Sequence, residues 1–152
     1  MLGHHDRTST KGTIRSNIIS IVNHPQYGKG TSENFDLSLV KLETKIDFTR
    51  TPNVRPICLP KNDDNDFACY TATVSGWGKV HAKGNSSNLL REVDVKVIGD
   101  ESCRNDFQYS AVEITDQMLC ARAEGGGKDS CTGDSGNKMT MSYVAVLSLT
   151  LL

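Results

Sequence analysis

The chain has 152 residues, of which 37% are hydrophobic and 23% charged, and its formal net charge is −1. That composition is enough for one domain with a core, excludes a disordered chain, and leaves no basic footprint for nucleic acid or an anionic membrane. The most apolar run, the C-terminal YVAVLSLTLL, falls well short of the roughly 18 residues of a membrane-spanning helix.

The N-terminal MLGHHDRTST carries no apolar stretch of the kind a signal peptide needs. NIISIVNH (17–24) is β-branched and reads as a strand; the turn-rich PQYGKGTSEN separates it from a second, FDLSLVKL (35–42). TRTPNVRPICLP (49–60) holds three prolines, which suit an extended crossing segment better than a central strand. After the acidic, solvated NDDND (62–66) come strands in YTATVSGWG (70–78) and LLREVDVKVI (89–98), split by the polar loop HAKGNSSN. Helical periodicity is confined to a stretch near Glu101 to Tyr109. Short strands with polar turns and no internal repeat predict an all-β sandwich or barrel.

Five cysteines (Cys58, Cys69, Cys103, Cys120 and Cys131) are scattered singly, without the C-x-x-C pairs of a zinc site. Such spacing in a β-rich chain fits a disulfide framework made in an oxidising compartment, and an odd count leaves at least one thiol without a partner in the chain. Asn85-Ser86-Ser87 is an acceptor sequence for N-glycosylation.

The chemistry concentrates in GKDSCTGDSGNK (127–138). A serine hydroxyl is a poor nucleophile until a base takes its proton and backbone donors hold the developing oxyanion. Gly133 and Gly136 flank Ser135 and permit a sharp turn that exposes the hydroxyl and aims N–H groups at one point. Asp134 offers that loop an ion pair. GDSG by itself is also compatible with an ordinary turn.

Taken with NHPQY, DLSLVKL, RPICLP, SGWG and MLCARAEGGGKDSC in this order, GDSG makes the chain, from about Leu2 to Gly136, resemble the trypsin/chymotrypsin family of serine endopeptidases. The resemblance implies a fold of two antiparallel β-barrels, truncated at both termini. Residues 1–48 would be the remainder of the N-terminal barrel and 49–68 the crossing segment. Residues 69–136 would form part of the C-terminal barrel with the nucleophile loop, and 137–152 a divergent apolar tail. It assigns Ser135 as nucleophile, the N–H groups of Gly133 and Ser135 as oxyanion hole, and Asp36 as the carboxylate that orients the catalytic histidine. Asp129 becomes the base of a specificity pocket for Lys or Arg side chains, so the implied activity is secreted endoproteolysis of polypeptides, with polypeptide substrates or inhibitors as partners.

Several parts of the family pattern are expected to be missing. The histidine base belongs to a TAAHC-like stretch that would precede Met1, and none of His4, His5, His24 or His81 takes its place. The IVGG amine that would pair with Asp134 is likewise absent, and Asn137 and Lys138 stand where the family has GGP. The resemblance pairs Cys103 with Cys120, strands Cys69 and Cys131, and gives Cys58 to a light chain or pro-segment. No metal or cofactor is implied, because His4 stands where calcium-binding members have glutamate. The expectation is a chain that does not cleave peptides at a useful rate by itself. A non-catalytic binding or regulatory homologue and an incomplete, non-functional piece are the alternatives.

Overall fold

The computed structural model describes residues 1–59, 67–81, 83–106 and 114–125, together with the backbone of 139–141 and 144–146. Its best-packed part grows from β3 (Thr71–Gly76) and β4 (Arg91–Ile98), which pair antiparallel. Every second residue of β3 is buried, and the register sets Ala72 opposite Val95 and Val74 opposite Val93. One face of the pair is therefore apolar, as period-2 alternation dictates. Ala72, Val74, Val95, Val97 and Ala123 form the core, with Phe67, Val93, Leu119 and Ala121 packed against it. On the opposite face the facing pair Thr73 and Asp94 is polar, the threonine hydroxyl donating to the carboxylate at 2.7 Å.

The sheet continues on both sides. β5 (Cys120–Arg122) pairs with β4, while β6 (Met139–Met141) pairs with β3 and β7 (Val144–Val146) with β6, giving the order β5-β4-β3-β6-β7 with every pairing antiparallel. Between β4 and β5 lies α1 (Asp100–Asp106), which has Asp100 and Glu101 in its first turn and Arg104 in its last, the arrangement that complements the helix dipole. Its buried Cys103 is disulfide-bonded to Cys120, with Cα atoms 6.3 Å apart. This is the pairing the resemblance implies; closing a loop of this size is worth about 3 kcal/mol. Cys58 and Cys69 are free and exposed.

β1 (Ile18–Asn23) and β2 (Ser38–Leu42) make a separate two-stranded antiparallel sheet. Ile18, Ile19, Ile21, Val22, Leu39 and Val40 are all about half exposed or more. Residues 51–59 contain neither helix nor strand, in keeping with their prolines. Ahead of β1 the chain folds back on itself, Leu2 bridging to Ile14, and within that loop residues 5–7 run along the entry to β4. There Arg7 N–H donates to Asn88 O and Leu90 N–H to His5 O, each at 2.8 Å. Gly3 sits at φ +71°, where a Cβ would come within 3.0 Å of the Val54 side chain; only glycine fits this approach without strain. Among the described residues the regular structure is thus mostly β, with antiparallel sheets and one short helix.

Candidate active site

Asp36 lies at the entry to β2, at the end of a turn system whose backbone bonds are nearly all local. His24 N–H donates to Leu37 O (2.8 Å) and closes the loop between them. Within it Tyr27 N–H reaches His24 O, Lys29 N–H reaches Gln26 O, Gly28 N–H reaches Asn34 O, and Asn34 N–H reaches Thr31 O. Phe35 then takes the left-handed conformation, φ +54°, which costs a non-glycine residue roughly 1–2 kcal/mol. Two contacts offset that cost. The His24 ring stacks on Phe35 with centroids 4.8 Å apart and planes 5° from parallel, and Leu37 N–H returns to Phe35 O at 2.7 Å. Asp36 emerges from this turn exposed to solvent.

The side chain that locks the loop is Asn34, the buried polar residue of the described structure. Its Nδ2 donates to Lys29 O at 2.6 Å, and its Oδ1 accepts from the Thr115 hydroxyl at 2.7 Å. Because a carbonyl can only accept, the amide orientation is fixed by Lys29, and the remaining oxygen must meet a donor. Thr115 is held in turn from α1. Arg104 donates through Nε and Nη2 to Ile114 O, and Nη2 also meets the Asp116 carboxylate at 2.9 Å. Neither Asn34 nor Thr115 stands out in the sequence; only the ENFD context of Asp36 hints at the first.

The four histidines are placed as follows. His4 is half-buried, its Nε2 2.8 Å from Ser9 O and its ring edge-on to Trp77. Facing a carbonyl, that nitrogen must be the protonated one. His24 Nδ1 accepts from Gln26 N–H at 3.1 Å, so a neutral His24 carries its proton on Nε2. A triad base needs the opposite tautomer, with Nδ1–H given to a carboxylate and the Nε2 lone pair free. His5 and His81 are exposed. His5 enters the packing through its carbonyl, which accepts from the Trp77 indole at 3.1 Å, and the His81 carbonyl accepts from Gly84 N–H in a turn.

Asp129, Cys131, Gly133, Asp134, Ser135 and Gly136 lie outside the described residues. Among the described residues no three His, Cys, Asp or Glu side chains converge as a metal site would require. Asn85 is exposed in the loop before β4, where Lys79 bridges to Ser86.

Comparison with known proteins adds the following. A family model described as Trypsin matches residues 1–145. The chain is 40% identical over 128 residues to serine proteinase stubble of Drosophila melanogaster, covering 83% of this chain and 16% of that protein. It is 37% identical over 145 residues to venom serine protease Bi-VSP of Bombus ignitus, with 89% of this chain and 39% of that protein covered. Serine protease filzig of Drosophila melanogaster is 36% identical over 134 residues, again across most of this chain (87%) but only 8% of that protein. The chain therefore spans well under half the length of these relatives.

Proposed function

The chain belongs to the trypsin family of serine proteases, and from that premise we propose that it carries the nucleophile, Ser135, and the orienting carboxylate, Asp36, of a trypsin-like endopeptidase site, with the base supplied from outside the chain. The observation that carries this reading is the turn at Asp36: a left-handed Phe35 stacked on His24 and a buried Asn34 together fix the entry to β2. Backbone strain that is over-determined in this way marks a position whose geometry matters.

In the proposed reaction Ser135 Oγ attacks the scissile carbonyl carbon and its proton passes to the base. The N–H groups of Gly133 and Ser135 hold the oxyanion, and the peptide amine leaves with the proton from the base. Water then cleaves the acyl-enzyme by the same route. Asp129 would pair with a Lys or Arg side chain in the specificity pocket. The tautomers and contacts of the histidines support a chain that does not carry out this reaction unaided. The same observation favours a second reading, a non-catalytic homologue that binds polypeptides. Exposure of Cys58 is compatible with a disulfide to a light chain or pro-segment, and exposure of Asn85 with a glycan on a secreted protein.

The test uses a fluorophosphonate, in which Ser135 Oγ displaces fluoride from phosphorus while a base removes the hydroxyl proton. Purified, oxidised chain is expected to stay unlabelled in plain buffer. Added imidazole, standing in for the base, is expected to support slow labelling that disappears in Ser135→Ala and slows several-fold in Asp36→Asn. Labelling without imidazole that depends on Ser135 would overturn the missing-base reading. Imidazole-supported labelling insensitive to Asp36→Asn would remove Asp36 from the site.

A further inference from the structure

We infer that Asn34 and Thr115 are positioning residues for Asp36, and that α1 holds Thr115 in place through Arg104. The inference deepens the reading above and rests on it only for what Asp36 does. The geometry stands independently of that role.

Four observations converge. Asn34 is two residues before Asp36 and 7% exposed, so its amide must be satisfied by protein groups. Both ends of the amide are satisfied: Lys29 O takes one hydrogen within the loop, and Thr115 gives one from 81 residues away. The Thr115 hydroxyl has a single proton. With that proton committed to Asn34, its oxygen faces Gln117 N–H at 3.4 Å. Arg104 anchors both neighbours of Thr115, reaching the Ile114 carbonyl from two nitrogens and the Asp116 side-chain carboxylate from one. Arg104 itself sits next to the disulfide-bonded Cys103.

The consequence reaches Asp36 through one residue. With Asn34 clamped, its carbonyl accepts from Gly28 N–H, and the chain must turn at Phe35 through a positive φ to enter β2. If Asn34 is freed, Phe35 can relax to an ordinary extended or helical conformation, and the direction in which Asp36 leaves the turn changes. The hydrogen bond between Asn34 and Thr115 therefore couples the segment bearing Asp36 to the five-stranded sheet through α1. It is local to neither segment, and no periodicity announces it.

The experiment compares Thr115→Val, which keeps the shape and removes the donor, with Thr115→Ser, which restores the hydroxyl. Thr31→Val serves as control, because the buried Thr31 hydroxyl has no hydrogen-bond partner among the described residues. Amide hydrogen exchange of the full chain is read by NMR at Gly28 and Leu37, with Val97 as the reference in the main sheet. Thr115→Val leaves a buried amide oxygen unpaired and is expected to speed exchange at Gly28 and Leu37 about tenfold. Val97 should stay unchanged, and Thr115→Ser and Thr31→Val should resemble the wild type. Unchanged exchange at Leu37 in Thr115→Val, or equal acceleration at Val97, would overturn the inference.

Imidazole-supported fluorophosphonate labelling adds the catalytic readout. Thr115→Val should slow it as Asp36→Asn does, and Thr115→Ser should restore it. If Asp36→Asn slows labelling and Thr115→Val does not, the positioning role fails while the site reading survives. If neither wild type nor variants label, the site reading fails, and the exchange data alone decide whether Thr115 positions the turn.

Discussion

At the residue scale, two carboxylates among the described residues, Asp6 and Asp47, are each held by a threonine in their own turn. The Asp6 carboxylate accepts from the Thr8 hydroxyl at 2.7 Å and from Thr8 N–H at 2.9 Å. The hydroxyl bond first, and the N–H bond second, hold its pKa below the ordinary aspartate value of 3.8. Asp47 repeats the arrangement with Thr49. A hydrogen bond to the charged form favours that form. Each carboxylate therefore stabilises its turn fully above the unfolded aspartate range, and the contribution is lost as pH falls through the lowered folded value. Thr8→Val removes the larger contribution and keeps the backbone donor, so the Asp6 midpoint in a ¹³C-detected carboxyl titration is expected to rise part of the way toward 3.8. An unmoved midpoint would mean that the backbone bond alone sets it.

At the scale of elements, α1 is tied to β5 by a disulfide and to the 114–116 segment by Arg104. Cys103 is buried, and its disulfide to Cys120 joins the helix to the first residue of the edge strand β5. Short helices are marginal by themselves, and α1 has only seven residues. Cys103→Ser in the oxidised chain is expected to cost about 3 kcal/mol, seen as a lower urea midpoint with a slope equal to or steeper than the wild type's, because the unfolded chain without the link is more open. If the midpoint does not move, packing of α1 and not the link carries its stability. The helix was legible in the periodicity near Glu101 to Tyr109, and the strands β3 and β4 in their β-rich runs between polar turns. The 114–116 clamp was not legible, because a side chain reaching a carbonyl ten residues away and a carboxylate twelve away follows no local period.

At the scale of the whole molecule, the two sheets differ sharply. The five-stranded sheet encloses a core, whereas β1 and β2 carry an apolar sequence on both faces and leave it open. Near-continuous apolar strands are normally covered on both sides, and exposed ones invite edge-to-edge association. The isolated chain is expected to bind the dye ANS and to self-associate with rising concentration in sedimentation velocity. The double change Ile21→Lys and Leu39→Lys should reduce both effects without disturbing the β3–β4 core. If these residues are not the sticky surface, dye binding will be the same in the variant.

The sequence by itself determined the local structure and the family. Runs of β-forming residues between polar turns placed β3 and β4, prolines kept 51–59 out of the sheets, and ordered short motifs from NHPQY to GDSG pointed to the trypsin family, which the match over residues 1–145 bears out. These signals are legible because they arise within a few bonded residues or in one recurrent motif. Only the tertiary structure decided that residues 5–7 lie along the entry to β4, and that Trp77 gives its indole hydrogen to His5. It alone placed a strand from 139–141 beside β3, and made Asn34 and Thr115 partners. Each of those contacts joins groups that are distant along the chain. Their pairing is selected by which donors and acceptors the folded sheets bring within about 3 Å, a condition that exists only after folding.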